Sequence, residues 1–331
     1  MTLRRAFVLL IAVAMVSGGV GATLAAAPVD DSVATRLLLG VAGLPPMQAL
    51  LEVTKQLLPQ GPTYLPWTTV LPPLPVPYTP PPADACPSGS SACVTDLIAV
   101  MSHRTEEMAR RCDDNAPFLQ SYLRVTQVEN AFIERGEFQD AKWLNSWDVH
   151  FADAYFTAID GYYGGRPDNA PEAWRRAFRA ADDHSSTVLG NAVLAYNAHI
   201  TRDLPFVVAD MGITAPDGTS RKPDYERGNK MLVESARQVV PDLASRYGAV
   251  EPLLPAGAAY EPMTSTAFGL VVQAWREYVW RAAEQLVLAP NPEVRAVVSQ
   301  QIEQLSNVLG EVIERLFART DPLPHQARCP R

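Results

Sequence analysis

Apolar positions recur at three- and four-residue spacing along most of the chain from about residue 94 onward. Leu97, Ile98, Met101 and Met108 fall on or near one face of residues 94–111. Between 138 and 163, Leu144, Phe151, Tyr155 and Ile159 make one stripe, and Asp148 sits inside it. Pro171 opens the next helix at its first position, with Trp174 and Phe178 as i, i+4 partners and Arg175, Arg176 and Arg179 facing out. Residues 293–319 keep the period through Val294, Val298, Ile302, Leu305, Leu309, Val312, Leu316 and Phe317. Helices over 117–135, 187–203, 224–241 and 264–288 complete the set; Gly136 ends the first, and the run Asp182-Asp183-His184-Ser185 supplies caps for the second. No stretch sustains period-two alternation, and no internal repeat is present. The expected fold is all-α: a single multi-helix, bundle-like domain preceded by a Pro-rich extended segment.

The segment before that domain has a different pattern. Residues 31–44 and 46–58 fit two short amphipathic helices separated by Gly43 and Pro45-Pro46. Residues 59–87 hold eleven prolines, including LPPLPVPYTPPP, and favour an extended polyproline II backbone over helix or sheet. Such a run serves either as a ligand for aromatic grooves or, more simply, as a semi-rigid spacer draped over the domain. The division expected is 1–27 signal peptide, 28–92 short helices and Pro-rich linker, and 93–331 helical domain.

The signal reading rests on Arg4 and Arg5, an apolar run from Ala6 to Val16, and small residues through Ala25-Ala26-Ala27. That run falls short of the roughly 20 residues a transmembrane helix needs, so export to a secreted or extracytoplasmic, cell-envelope location is expected, with no span in the mature chain. Charge narrows the partners. The formal net charge is −8; without Arg4 and Arg5, 26 bases face 36 acids, a balance near −10 that disfavours nucleic acid and anionic lipid. Four cysteines permit three disulfide pairings. A helix over 94–111 would hold Cys93 and Cys112 nearly 30 Å apart at about 1.5 Å per residue, which excludes that pair. Cys86–Cys93 with Cys112–Cys329 is preferred, because the short PSGSSA loop can turn back and the second link pins the C-terminal tail. None of the spacings is that of a zinc knuckle.

One constellation has chemical potential. Spacing of four places Asn191, Ala195, His199 and Asp203 on one line of a helix. Pro205 has no N–H for the carbonyl of Thr201 beside that line. Asp148 and Asp224 would add carboxylates from two other helices, and Asn197 and Asn229 neutral polar arms. An imidazole with several oxygens, converging inside a bundle, suits one divalent metal ion with mixed ligands, His199, Asp203, Asp148 and Asp224 being the ligand set. A metal-bound water there would make the protein an ester or phosphoester hydrolase. The alternative uses the same residues as a buried hydrogen-bond network in a structural or ligand-binding envelope protein. No Gly-x-Ser-x-Gly elbow, Gly-rich phosphate loop or His-Glu-x-x-His is present.

The pieces WDVHFADAYF (147–156), AWRRAF (173–178), YNAHITRDLP (196–205), SRKPDYERGN (220–229) and AWREYVWRAAEQL (274–286) resemble the domain of unknown function 5995, a helical family of bacterial, often exported, proteins. The similarity covers roughly 93–319. Carried over position by position, the resemblance marks Asp148, Asn197, His199, Asp203, Asp224 and Asn229. His150 departs from it, since an apolar residue is expected there. The resemblance implies no agreed activity.

Overall fold

The computed structural model describes residues 64–82, 86–247 and 261–319. The signal peptide expected over 1–27, the two short helices expected over 31–44 and 46–58, and Cys329 lie outside the described residues. The chain divides into two compact units: residues 1–65 with 253–275, and residues 66–252 with 276–331. In the first, the Leu65 N–H donates to Gln273 Oε1 at 2.8 Å, and the Gln273 amide donates to the Gly269 carbonyl.

The second unit holds the candidate site. Its helices are α1 (Trp67–Val70), α2 (Ser91–Arg110), α3 (Ala116–Glu134), α4 (Ala141–Tyr163), α5 (Glu172–Asp182), α6 (Val188–Tyr196), α7 (Leu204–Asp210), α8 (Lys222–Tyr247), the portion of α9 (Glu261–Leu288) from Arg276 on, and α10 (Pro292–Phe317). Two isolated bridges, Ser186 with Ala318 and Thr214 with Ser220, are the nearest thing to a sheet among the described residues, so the all-α, multi-helix expectation stands. Side chains cap four of the helices, and α6 takes its cap from Thr187 and not from the run 182–185 expected to supply it. Ser90, Asp140, Thr187 and Asn291 accept from the backbone N–H of Ala92, Trp143, Gly190 and Val294. Helix α3 is sandwiched between α2 and α8 and also meets α6, while α10 lies along α5, α6 and the turn that follows α6. Among the described residues no helix is long and apolar enough to cross a membrane.

Two boundaries differ from expectation for physical reasons. The helix expected over 187–203 becomes α6, a π-helical turn (Asn197–Asp203) and α7. Pro205 cannot donate to a carbonyl four residues back, and the Leu204 N–H instead reaches His199, five back. Helix α8 was expected to stop at Pro241 and runs on to Tyr247. Val239, Leu243 and Tyr247 bury against Ala116, with Met108 and Val125 packed on the same cluster, and this apolar burial outweighs the backbone bond that a proline removes.

Cys86 and Cys93 form a disulfide, with Cα atoms 6.0 Å apart. Its loop is clamped on the first turns of α4: Asn145 donates to the Gly89 carbonyl at 2.9 Å and Ser146 to that of Cys86 at 2.7 Å. Gly89 adopts φ +60°, and a Cβ there would lie 2.5 Å from the Lys142 carbonyl oxygen. Gly89→Ala is therefore expected to cost about 2 kcal/mol, lowering the melting temperature by roughly 4–8 °C in calorimetry. An unchanged melting temperature would show that the loop is not clamped.

Candidate functional site

Aromatic side chains from three helices meet at His199. Its ring stacks flat on Phe151 of α4, centroids 3.5 Å apart and planes 5° from parallel, while Tyr122 of α3 approaches edge-on at 4.6 Å. Phe118 and Trp174 complete the cage at 5.7 and 5.9 Å. Burial lowers the pKa of the imidazole below its ordinary value, and the nearby Asp203 opposes this only in part. His199 Nδ1 and Asp203 Oδ2 lie 3.7 Å apart, an electrostatic contact and not a hydrogen bond. The Asp203 oxygens are held by others. Oδ2 accepts from the Trp174 indole at 2.7 Å and Oδ1 from Arg202 at 2.9 Å, while Arg202 also pairs with Glu303 of α10. Asn197 opens the π turn and ties it to α10, donating to the Ser306 carbonyl at 2.7 Å and accepting from Thr201 at 2.9 Å.

A second cluster joins α3, α4, α8 and α9 around carboxyl groups. Asp148 is buried on the apolar stripe of α4, as its position requires, and its companion is a second buried acid, Glu129 of α3. Burial first, and the charge of Glu129 second, raise the Asp148 pKa well above the carboxylate range. Burial pushes Glu129 up to about 7, with the Arg276 guanidinium pulling the other way. The Tyr122 phenol is raised by burial and then by the charges of Asp148, Glu129 and Asp203. Asp148 Oδ2 and the Tyr122 hydroxyl have no hydrogen-bond partner among the described residues. Glu129 also lines a cavity of about 10 Å³, room for roughly one water, with Trp143, Trp147, Asp224, Tyr225 and Arg276 in its walls.

Asp224 touches that cavity but is already saturated. It accepts from the backbone N–H groups of Gln139 (2.9 and 3.0 Å) and Asp140 (2.7 Å), at the entry to α4, and from Arg227 one turn along α8. Asn229 is buried on the next turn, and its Oδ1 has no hydrogen-bond partner among the described residues.

The metal centre expected from His199, Asp203, Asp148 and Asp224 is thereby overturned. Among the described residues no group of three or more His, Cys, Asp or Glu side chains is arranged to hold a metal ion. Asp203 is committed to an indole and a guanidinium, Asp224 to backbone amides and Arg227, and the raised pKa of Asp148 favours a neutral acid over an anionic ligand. What sequence brought together correctly is burial: Asp148, Asn197, His199, Asp203, Asp224 and Asn229 are all buried. What it missed are the residues that complete the clusters, Tyr122, Glu129, Trp174 and Arg276. Glu129 was findable, since it lies seven residues after Tyr122 on a face that Phe118 and Phe132 make apolar. The polar roles of Trp174 and Arg276 left no such trace.

No curated protein and no solved structure matches the chain. A family model described as "Family of unknown function (DUF5995)" matches residues 94–316, more than half of the 331 residues and all of the helices that carry the two clusters. The chain therefore belongs to the family DUF5995.

Proposed function

We propose that this is an exported, non-catalytic helical protein of the cell envelope, and that its His/Asp/Asn groups hold the helices in register. The observation that carries the reading is the commitment of Asp203 to the Trp174 indole and to Arg202. That carboxylate joins α5 to the π turn and, through Arg202 and Glu303, to α10. A buried polar group satisfied in this way specifies how helices pack, because each misaligned alternative leaves it unpaired. Export is supported by the N-terminal run described above and by the Cys86–Cys93 disulfide, which belongs to an oxidising compartment.

Two measurements test the reading. Asp203→Ala is expected to cost roughly 3–5 kcal/mol, since it strands a buried indole N–H and unpairs Arg202, and the melting temperature falls by about 6–20 °C. An Asp203→Ala chain that melts with the unsubstituted protein sinks the packing role. Fractionation of cells expressing the full chain should recover it outside the cytoplasm; retention inside sinks the envelope role.

A further inference from the structure

The Pro-rich segment is fastened to the helical unit through its backbone. The Leu71 carbonyl accepts from Lys222 Nζ at 2.6 Å and from Arg281, and Arg281 also donates to the Pro72 carbonyl at 3.0 Å. The Leu74 N–H donates to Glu284 at 2.8 Å, and the Val76 carbonyl accepts from Thr214 at 2.8 Å. Glycine at 212 lets the strap pass, for a Cβ there would stand 2.8 Å from the Thr79 carbonyl oxygen. The anchoring groups are themselves fixed. Lys222 is fully buried and bonded to Glu277 at 2.9 Å, while Arg281 bonds Glu277 and Glu284 at 2.8 Å each.

Because the backbone does the fastening, the side chains are left over for something else. Val76 is buried and Pro73 half-buried, while the other eight residues from Leu71 to Pro80 are exposed. Leu71, Leu74 and Tyr78 are 43%, 48% and 41% exposed, large apolar groups left open to solvent. Exposed prolines and bulky apolar residues in one run are what a polyproline-reading groove grips, and a backbone already fastened costs little ordering entropy on binding.

We propose that residues 71–80 are a docking ligand, and that their partner carries an uncharged groove lined by aromatic rings. Charge selects this occupant over others. From Tyr64 to Pro82 the chain has no Asp, Glu, Lys, Arg or His, so neither an acidic nor a basic partner surface finds a counter-ion on it. Ring faces stacked on proline and on Tyr78 are the complementary chemistry.

The test uses the full chain and, as probe, a purified WW domain, whose groove is built from aromatic rings. Titration calorimetry should give saturable binding at least as tight as that of a free peptide covering residues 70–82. The double variant Leu74→Asp with Tyr78→Asp should weaken it roughly tenfold or more, with the melting temperature of the chain changed little, since both residues are exposed. Binding by the peptide but not by the chain would overturn the proposal, because the segment would then be covered in the folded protein. Binding by neither, or equal binding by the double variant, would overturn it as well.

Discussion

Glu129→Gln should raise the melting temperature several degrees at pH 8 and leave it unchanged at pH 4. The cause is the proton on the buried acid. In the folded protein Glu129 keeps it up to about pH 7, whereas in the unfolded chain it leaves near the ordinary value of 4.5. Between those two values the folded state binds more protons, so each rise in pH favours unfolding. The penalty is absent below 4.5, grows through the interval and is complete above 7. A displacement of that size corresponds to about 3 kcal/mol, or roughly 6–12 °C for a unit of this length. Glutamine fills the same space and cannot ionise, so it removes the penalty. Asp148→Asn should act in the same direction, because its pKa is raised by the same burial and by Glu129 itself. The double variant should gain less than the two single gains together, since removing either charge already relieves the other. A Glu129→Gln chain that melts lower at pH 8 would mean that the anion is wanted there as the partner of Arg276. Melting curves from pH 4 to 9 distinguish the two signs.

Glu129 also shows where the reach of sequence ends. A carboxylate on an apolar helical stripe must be buried whatever covers it, and that logic located Asp148 and His199 and would have located Glu129. The helices themselves were legible for the same reason, since burial writes a 3.6-residue period into the chain. Identity of the partner is a different matter. Trp174 reads as one more core aromatic paired with Phe178, and its rings do stack at 5.3 Å. Nothing local reveals that the indole N–H points to a carboxylate 29 positions away. The metal centre failed on this point. Spacing places His199 and Asp203 one turn apart, but only the tertiary fold decides whether the oxygens meet a cation, an indole or a backbone amide. Backbone irregularities were legible in part. Pro205 announces that one hydrogen bond is missing, yet a π turn and a broken helix are both ways to absorb the loss, and Pro241 stays inside its helix because Leu243 and Tyr247 have a surface to bury against.

Asp224 holds the entry to α4, and its removal should destabilise the protein about as much as that of Asp203. The entry to α4 presents N–H groups with no helical acceptor. Asp140 caps one of them at Trp143, and Asp224, from another helix, takes those of Gln139 and Asp140. Asp140 in turn accepts from Arg221 at 3.1 Å, and Arg221 donates to the Met211 and Gly212 carbonyls, so the start of α4, the start of α8 and the end of α7 share one network. Asp224→Ala leaves two N–H groups without an acceptor and Arg227 without its carboxylate. At about 1–3 kcal/mol for each stranded group, the expected loss is roughly 4 kcal/mol. Urea unfolding should show the midpoint falling with its slope unchanged. Asp224→Asn keeps one acceptor oxygen and should recover part of the loss, an ordering that tracks acceptor number. A metal ligand gives another pattern: Asn and Ala would be nearly equal, and the difference from the unsubstituted protein would vanish with chelator. Amide exchange locates the effect, because only the capping role requires that Gln139 and Asp140 lose protection before the middle of α4 does.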